Sequence, residues 1–377
     1  MTSKTLAILG IRGIPAAHGG FETFAEHLAV FLRDRGWQVT VYCQEEGEGP
    51  VFEDSWEGIR RVNVPVKGDG PASTVVFDWK ATNLAARERG GAILTLGYNT
   101  AVFCARLRLA GLPNVINMDG IEWRRAKWSG VARTWFWLND WAGCFLGNHL
   151  VADHPDIKRH LQTRVKGDKV TVIAYGADGV VSADEAPVRA LGLEPGRFAT
   201  VIARAEPENS LLEIVSGFSR KPRGMNLVVL GKYDKAHAYQ RRVLEAASDE
   251  VKFVGAIYDK QIVSALRFHS MLYVHGHQVG GTNPSLVEAL GAGNAVLAHD
   301  NKFNRWVAGE GAEYFDGADG CAAAFDSLVG DEPRLARMRE ASRLRHRGEF
   351  TWEKILGEYE SLLLGYLPAS REATSKA

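Results

Sequence analysis

Short apolar runs alternate with amphipathic helical patterns along most of the chain. Residues 5–9 form the first buried strand pattern, and the apolar positions within residues 21–32 then fall on one helical face before Gly36. This alternation predicts parallel βαβ units with right-handed crossovers. The first series has predicted strands at 5–9, 37–43, 93–96, 115–118, 149–152 and 170–174, and predicted helices at 21–32, 101–109, 135–146 and 157–165.

A second series of the same kind begins after a proline-containing loop at residues 178–195. Its predicted strands are 199–203, 227–230, 251–254, 271–274 and 295–298, each followed by a helical pattern. We therefore predict an α/β protein with two doubly wound, Rossmann-like domains, at 1–180 and 190–350, that face an interdomain cleft. A last helix within 351–367 is expected to pack back on the N-terminal domain, and the small, polar tail 368–377 to be disordered.

Composition narrows the class of protein. The 377 residues suit two or three domains, and 45 basic residues balance 45 acidic ones, which argues against a nucleic-acid-binding surface. Four scattered cysteines predict neither a disulfide framework nor a zinc site, and no apolar stretch is long enough for a membrane-spanning helix. These features favour the cytoplasm. Glycine is enriched, with 40 residues, as is typical where backbone approaches a ligand.

Open parallel sheets bind ligands beyond the carboxyl ends of their strands, so the loops after the predicted strands are the candidate sites. In the first loop, Gly19 and Gly20 stand directly before a helix, where free backbone N–H groups and the helix dipole favour an anion. Gly10 and Gly13 are separated by two residues, which departs from the G-x-G-x-x-G fingerprint and disfavours a nicotinamide dinucleotide. A tight turn that merely feeds the helix is the alternative.

Arg204 follows the first predicted strand of the second domain. The guanidinium group offers five donors in a planar fork, which suits a diphosphate at this edge of the sheet. The alternative is an ordinary surface salt bridge to Glu206 or Glu208.

The loop after the fourth strand of the second domain is rich in glycine and leads into a helix. Asn283 is a helix cap ahead of Pro284, and Gly280 and Gly281 leave the preceding backbone open to a ligand. Glu288, about one turn into the helix, is placed to accept hydrogen bonds from ribose hydroxyls, although a solvated carboxylate is the alternative. His275 and His277 in the same segment lack the further ligands of a metal site and are interpreted as loop histidines.

Taken together, these loops resemble the retaining GT-B glycosyltransferases of the group 1 type over nearly the whole chain. The resemblance rests on Gly19-Gly-Phe-Glu22, Arg204 with Pro207-Glu208, and Glu288-Ala-Leu-Gly-Ala-Gly293. Three further segments resemble the subgroup of bacterial polysaccharide rhamnosyltransferases: Asp119-Gly-Ile-Glu-Trp-Arg-Arg-Ala-Lys-Trp128, Pro207-Glu-Asn209 and Gly280-Gly-Thr-Asn-Pro-Ser285.

The resemblance implies a role for each motif. Donor binding would fall to Gly19, Arg204, Lys232, Val254, Gly281, Thr282, Asn283 and Glu288, with Arg204 on the diphosphate, Val254 near the base and Glu288 on the ribose. Acceptor binding would fall to Glu22, Asp119, Glu122 and Trp123. Arg204, Asp119 and Gly20 would carry the catalytic step, in which the acceptor attacks from the front face and the sugar's configuration is retained. Arginine, backbone N–H groups and helix N-termini stabilise the leaving diphosphate in this fold, so neither a metal nor another cofactor is expected.

The chain departs from the family pattern in three places. Gly280 stands where many relatives carry the first of two glutamates, and Asn209 stands where many carry a lysine, whose charge Lys232 or Lys235 could restore. The histidine that relatives place after the strand at 115–117 is absent, with Met118 and Asp119 there instead. Since that histidine contacts the 6-hydroxyl of the sugar in relatives, its absence suits a 6-deoxy sugar such as rhamnose.

The predicted function is transfer of L-rhamnose from dTDP-rhamnose to a saccharide acceptor, lipid-linked, in the synthesis of cell-surface polysaccharide. A glycosyltransferase for UDP- or GDP-hexoses is the first alternative. A nucleotide-sugar epimerase or an inactive nucleotide-sugar-binding protein is the second.

Five tryptophans lie close together at positions 123, 128, 135, 137 and 141, beside four basic residues at 124, 125, 127 and 133. Tryptophan and arginine together are typical of surfaces that settle at a membrane interface, which would suit a lipid-linked acceptor and a peripheral place on the inner face of the plasma membrane. The alternative is that these rings fill the N-terminal core and line an acceptor groove.

Overall fold

The computed structural model describes residues 4–17, 19–125 and 127–367, so the predicted disordered tail at 368–377 lies outside the described residues. The chain divides into two compact units, Met1–Ala174 with Glu353–Ala377, and Tyr175–Trp352. The chain passes from the first unit to the second after Ala174, six residues before the predicted end of the first domain at 180. The predicted linker at 178–195 belongs to the second unit.

The first unit is built on an eight-stranded sheet in the order β3-β4-β2-β1-β5-β6-β7-β8. All neighbouring strands are parallel except β3, which pairs antiparallel with β4. The strands are β1 (Thr5–Leu9), β2 (Gln38–Glu46), β3 (Phe52–Trp56), β4 (Ile59–Val66), β5 (Ala92–Leu96), β6 (Asn114–Asn117), β7 (His149–Ala152) and β8 (Val170–Val172). The helices are α1 (Gly20–Asp34), α2 (Pro71–Glu88), α3 (Ala105–Leu109), α4 (Gly130–Leu146) and α5 (Pro155–Leu161).

The sequence pattern explains these elements. The central strands β5, β6 and β7 are buried at every position, as expected for parallel strands covered on both faces. Helix α1 buries the predicted apolar stripe, including Phe24, Leu28 and Leu32. The predicted helix at 101–109 is divided, since Ala101–Cys104 form a 3₁₀ turn before the short α3.

The second unit contains a six-stranded, all-parallel sheet in the order β11-β10-β9-β12-β13-β14. Its strands are β9 (Phe198–Ile202), β10 (Asn226–Leu230), β11 (Val251–Gly255), β12 (Leu272–His275), β13 (Val296–His299) and β14 (Glu313–Phe315). Its helices are α6 (Ala186–Ala190), α7 (Leu211–Phe218), α8 (Ala238–Glu245), α9 (Lys260–Phe268), α10 (Pro284–Gly291), α11 (Lys302–Ala308), α12 (Gly317–Leu328) and α13 (Glu332–Glu349). The two sheets confirm the predicted α/β class with two Rossmann-like domains.

The final helix, α14 (Trp352–Leu364), packs on the first unit. Tyr359 is 1% exposed, its hydroxyl accepts a hydrogen bond from Asn117 Nδ2 at 2.8 Å, and its ring lies 4.6 Å from that of Phe24. Trp37 Nε1 donates to Glu360 Oε1 at 2.9 Å. The last described helix thereby covers α1 and the end of β6, the strand that leads to Asp119.

Candidate donor and acceptor sites

Arg204 lies just beyond the carboxyl end of β9 with an exposed side chain. It forms no salt bridge with another residue that the structure describes, so the predicted alternative pairing with Glu206 or Glu208 is not formed. The loop is held from behind, because Asn209 is 3% exposed and its Nδ2 donates to the Arg204 carbonyl at 2.8 Å. The guanidinium group is therefore available to an anion.

Lys232 follows β10, the strand next to β9 in the sheet. Gly231 has φ +156°, and a Cβ there would lie 2.6 Å from the Ala203 carbonyl oxygen, so glycine lets the two loops touch. The Lys232 side chain is exposed and, like Arg204, pairs with no acid among the described residues. The fold thus places two unpaired cations on adjacent loops at one edge of the sheet.

An open groove beside Lys232 is lined by two aromatic residues that the sequence analysis missed. The Tyr233 and Phe253 rings pack edge to face with centroids 4.8 Å apart, and Gly255 completes the groove beside them. Val254, the predicted base contact, instead packs its side chain against the apolar cluster around Phe198 and Leu266. Side chains alternate along a strand, which is why the neighbour of the predicted residue lines the groove.

The loop between β12 and α10 is packed on the Arg204 loop. A Cβ at Gly276 would lie 2.0 Å from the Asn209 carbonyl oxygen, and the Gly276 carbonyl accepts from Ser210 Oγ at 2.7 Å. Gln278 Nε2 donates to the same Ser210 hydroxyl at 2.9 Å. The backbone that leads to Gly281 is therefore held beside Arg204.

The three predicted donor residues at the end of this loop have different environments. Asn283 caps α10, with its Oδ1 accepting from Ser285 N at 3.0 Å, as predicted for a cap. Thr282 is 5% exposed and Gly281 is half-buried. Gly280, in place of the family glutamate, has φ +122° with open space where a Cβ would stand.

Glu288 is held by a partner that sequence analysis did not identify. Arg267 of α9 is 8% exposed, and its Nη2 lies 2.5 Å from Glu288 Oε2 and 3.0 Å from Ser285 Oγ. The Glu288 side chain keeps 36% of its surface exposed. The carboxylate is thus oriented by a buried arginine, rather than freely solvated, and still reaches solvent.

The sequence predicts a loop position for His275, but this residue is the last of β12 and is 1% exposed. Neither of its ring nitrogens has a hydrogen-bond partner among the described residues, and its ring stacks on that of His277 at 4.5 Å. Burial, and then the nearby His277, hold the pKa of His275 well below its ordinary value. It therefore stays neutral in the interior of the second unit.

In the first unit, Gly19 is the extended residue before α1, and Gly20 is the first residue of the helix. The loop that precedes them is folded back onto the helix by two carboxylates. Glu22 Oε1 accepts from Arg12 N at 3.2 Å, and Glu26 Oε2 accepts from Ala16 N at 2.6 Å. Glu22, a predicted acceptor residue, therefore also shapes the glycine loop.

Asp119 directly follows Met118 at the end of β6 and has an unusual left-handed backbone, with φ +50°. Its N–H donates to Asn117 Oδ1 at 2.9 Å, which holds the turn. Burial, and then the neighbouring Glu122 carboxylate, raise the pKa of Asp119. A strained, half-buried carboxylate at a strand end is typical of a functional position.

The other two predicted acceptor residues anchor the segment after Asp119. Glu122 accepts from Arg125 Nη1 at 2.6 Å and from Trp128 Nε1 at 2.9 Å. Trp123 Nε1 donates to Asp140 Oδ2 of α4 at 2.9 Å. Both side chains are thus engaged within the first unit, and their polar atoms shape the segment that carries Asp119.

The part of the chain that the structure describes has neither a metal-binding cluster nor a membrane-spanning helix. Its residues contain no group of three or more His, Cys, Asp or Glu side chains that could hold a metal ion. None of the described helices combines the length and apolarity that crossing a membrane requires.

The two units match two family models. Residues 3–178 match a domain of unknown function, DUF1972, and residues 189–345 match the family described as Glycosyl transferases group 1. No curated protein sequence matches the chain. The second match coincides with the unit that carries Arg204, Lys232 and Glu288.

Solved structures share the fold over almost the whole chain. Sucrose-phosphate synthase from Thermosynechococcus elongatus is 18% identical with a TM-score of 0.79, covering 96% of this chain and 98% of its own. The HepE protein of Anabaena, solved with UDP-glucose, is 15% identical with a TM-score of 0.75 over 96% and 99%. A trehalose-phosphate synthase from Burkholderia xenovorans, solved with glucose-6-phosphate, is 13% identical with a TM-score of 0.74 over 96% and 100%.

The fold is therefore that of the GT-B glycosyltransferases. At these identities the structural likeness shows the fold, and the family match at residues 189–345 adds the group 1 type. Together they indicate a glycosyltransferase.

Proposed function

We propose that the protein is a retaining glycosyltransferase that moves L-rhamnose from dTDP-rhamnose to a lipid-linked saccharide in cell-surface polysaccharide synthesis. The observation that carries the donor part is the pair of unpaired cations, Arg204 and Lys232, on adjacent loops of the second sheet. A nucleoside diphosphate is the ligand class whose charge these cations would balance. The groove of Tyr233 and Phe253 lies next to them and suits the planar base.

The same residues account for departure of the leaving group. Negative charge grows on the diphosphate as the glycosidic bond to the anomeric carbon breaks, and fixed cations stabilise that charge without reorganisation. Arg204 and Lys232 would do so from the side chains, and the N-terminus of α10 from its backbone N–H groups. The step as proposed needs no metal ion and no other cofactor.

The choice of a 6-deoxy sugar rests on the residues after β6. Asn117 is occupied by Tyr359 and by the backbone of Asp119, and Met118 is 1% exposed. Met118 and Asp119 stand where relatives are expected to present a histidine to a 6-hydroxyl, and the Met118 thioether has no hydrogen to donate. This supports rhamnose over a hexose that carries the 6-hydroxyl.

A UDP- or GDP-hexose is the second candidate, and Glu288 favours it. Its carboxylate is poised to accept from ribose hydroxyls, and a ribonucleotide offers two of them where thymidine offers one. The HepE structure was solved with UDP-glucose, and the trehalose-phosphate synthase is described as UDP-forming. Glu288 in the second unit thus favours a ribonucleotide donor, whereas the residues at the end of β6 in the first unit favour a 6-deoxy sugar.

The acceptor is assigned to the first unit. Asp119 has the raised pKa and strained backbone of a functional carboxylate, and we propose that it orients the acceptor hydroxyl. The diphosphate itself would take the proton as the acceptor oxygen bonds to the anomeric carbon. Gly19 and Gly20 remain predicted to approach the reacting groups, and we propose that the enzyme works in the cytoplasm at the inner face of the plasma membrane.

A donor panel tests this proposal. Thermal shifts with dTDP-rhamnose, UDP-glucose and GDP-mannose identify the ligand, and turnover with a lipid-linked glucose acceptor then identifies the reaction. We expect the largest shift and the fastest transfer with dTDP-rhamnose. Turnover of UDP-glucose or GDP-mannose without any turnover of dTDP-rhamnose would replace the first candidate by the second.

The remaining alternatives give different results in the same assay. An epimerase would convert the donor without an acceptor. An inactive binding protein would show the thermal shift with no nucleoside diphosphate release.

A further inference from the structure

Helix α4 exposes one continuous apolar face. Its members are spaced three, four and seven residues apart, which places them on one side of the helix. Val131 is 84% exposed, Leu138 51% and Phe145 57%, all high values for large apolar side chains. The face, called here the α4 face, consists of Val131, Thr134, Trp137, Leu138, Trp141 and Phe145.

Aromatic rings form a ridge along this face. Trp137 and Trp141 pack edge to face at 6.2 Å, and Trp141 and Phe145 stack at 5.7 Å. Trp137 is 43% exposed. The ridge is backed from inside by Arg164, whose guanidinium lies 4.8 Å from the Trp141 ring.

The other tryptophans of the cluster are directed elsewhere. Trp123 donates its indole N–H to Asp140, Trp128 to Glu122, and Trp135 to the Asn99 carbonyl at 2.8 Å. The structure therefore assigns these three to the folding of the first unit. Of the five tryptophans in the membrane hypothesis, Trp137 and Trp141 remain candidates for membrane contact, and both belong to the α4 face.

Exposed basic groups lie on α3 and α4, and these two helices carry no exposed acid. Arg133 of α4 and both Arg106 and Arg108 of α3 are exposed and form no salt bridge with a described residue. The single acid of these two helices, Asp140, is 2% exposed and pairs with Arg164 at 3.0 Å.

The cations extend to the C-terminal end of α4. Lys169 Nζ donates to the Cys144 carbonyl at 2.8 Å. Burial, and then the nearby Arg108, lower the pKa of Lys169, so these two groups lie close together. Two basic groups thus lie near the end of α4 that carries Phe145.

We propose that the α4 face docks on a bilayer that contains anionic phospholipid, with its rings at the headgroup level and the arginines on the phosphates. Apolar burial and attraction to anionic lipid add in such a contact. A second copy of the chain is a poorer occupant, because a symmetric contact would bring the same arginines together. The surface would serve the proposed function by bringing a lipid-linked acceptor to the enzyme, but binding itself needs no donor.

Vesicle flotation tests the proposal on the full chain. We expect binding to phosphatidylglycerol/phosphatidylcholine vesicles at low ionic strength, with a blue shift of tryptophan emission, and weak binding to phosphatidylcholine alone. The double variant Trp137→Ser/Leu138→Ser should lower the partition coefficient at least about tenfold, since two apolar side chains lose their burial. Arg106→Gln/Arg108→Gln should weaken binding to the anionic vesicles only.

A double variant on the second unit is the matched control. Val181 and Leu344 are 92% and 58% exposed, and Val181→Ser/Leu344→Ser should bind vesicles like the wild type. Absence of wild-type binding, or equal loss in both double variants, would overturn the proposal. The proposal would also be overturned if the wild type bound no vesicles and formed a dimer in sedimentation, and if Trp137→Ser/Leu138→Ser were monomeric. The α4 face would then be a contact between two copies of the chain.

The outcome is separable from that of the proposed function. Flotation without glycosyl transfer would support membrane docking by the α4 face and contradict the proposed enzymatic function. Glycosyl transfer without flotation would support the enzymatic function and contradict membrane docking. Transfer to a water-soluble acceptor should be unchanged in Trp137→Ser/Leu138→Ser, which also shows that this variant is folded.

Discussion

The indole nitrogen of Trp123 donates to Asp140 Oδ2 at 2.9 Å, and so ties the segment after Asp119 to helix α4. The same carboxylate oxygen lies 3.2 Å from His160 Nε2 and 3.0 Å from Arg164 Nη2. Asp140 and Arg164 are almost fully buried, so this network is a fixed support. Trp123 would therefore act as a positioning residue for the proposed acceptor site.

Trp123→Phe tests this positioning role. The change removes one hydrogen bond at a cost of about 1 kcal/mol and loosens the segment that carries Asp119. We expect KM for the acceptor to rise at least about threefold, while KM for the donor stays unchanged.

Trp135→Phe is the matched control, because it removes an indole hydrogen bond of similar length, from α4 to the Asn99 carbonyl. It should lower Tm by a similar amount with acceptor KM at the wild-type value. Equal effects of the two substitutions on the acceptor KM would show that Trp123 stabilises the fold without positioning the acceptor site.

Asp78 on α2 gives the first unit a pH-dependent stability. Burial raises the pKa of Asp78 to about 6, although Thr100 Oγ1 donates to its Oδ2 at 2.7 Å. Since the folded pKa lies above the unfolded value of about 3.9, stability is fully present below pH 4 and is lost as the pH rises through 6. Asp78→Asn should therefore match the wild type near pH 4 and be more stable at pH 8, by at most about 3 kcal/mol.

Thermal melts of both proteins across this range provide the measurement. A constant difference in Tm between pH 4 and pH 8 would show that Asp78 ionises as freely in the folded protein as in the unfolded one.

Glu288 is predicted to distinguish ribonucleotides from deoxyribonucleotides. Glu288→Gln leaves a hydrogen-bonding side chain but removes the charge that accepts from the ribose hydroxyls. Calorimetry should show UDP binding weakened at least about fivefold, on the scale of one charged hydrogen bond, and dTDP binding weakened less. Equal Kd values for wild type and variant with both nucleotides would remove Glu288 from the donor site.

Gly10 is required by a close backbone contact in the first unit. It has φ +84°, and a Cβ would lie 2.3 Å from the Leu96 carbonyl oxygen. Gly36 has φ +78° with no atom within 4 Å of such a Cβ, so Gly36→Ala isolates the backbone cost of about 1 kcal/mol. Gly10→Ala should be more destabilising than Gly36→Ala by at least about 2 kcal/mol in denaturant titration. Similar effects of the two changes would mean that β1 and β5 adjust without cost.

The fold was largely predictable because its central strands are continuous apolar runs. Residues 5–9 were assigned to a strand with the bounds that the structure has, and the last helix was expected in the region of α14. The hydrophobic pattern predicts no strand or helix within residues 44–92, although this segment contains β3, β4 and α2. Strand β3 is exposed at four of its five positions and α2 has a weak apolar stripe, so neither carries a clear periodic signal.

The candidate site was predictable only in part. Arg204 and Lys232 follow directly from the rule that loops after parallel strands share one edge of the sheet. The Arg267 to Glu288 and Trp123 to Asp140 contacts depend on how neighbouring elements pack, which no local pattern encodes. Val254 and Phe253 are neighbours in β11, and a half-buried apolar run does not show which of the two side chains faces the groove.

Acceptor-dependent release of nucleoside diphosphate tests the central claim most directly, with Arg204→Ala compared against Arg197→Ala. Arg197 stands at the opposite end of β9 and is paired with Glu194, so it is a control on the same strand. We predict release only when the saccharide acceptor is present, a loss of at least about tenfold in kcat/KM for Arg204→Ala, and wild-type kinetics for Arg197→Ala. Nucleoside diphosphate release at the same rate with and without the acceptor, or wild-type kinetics in Arg204→Ala, would contradict the account.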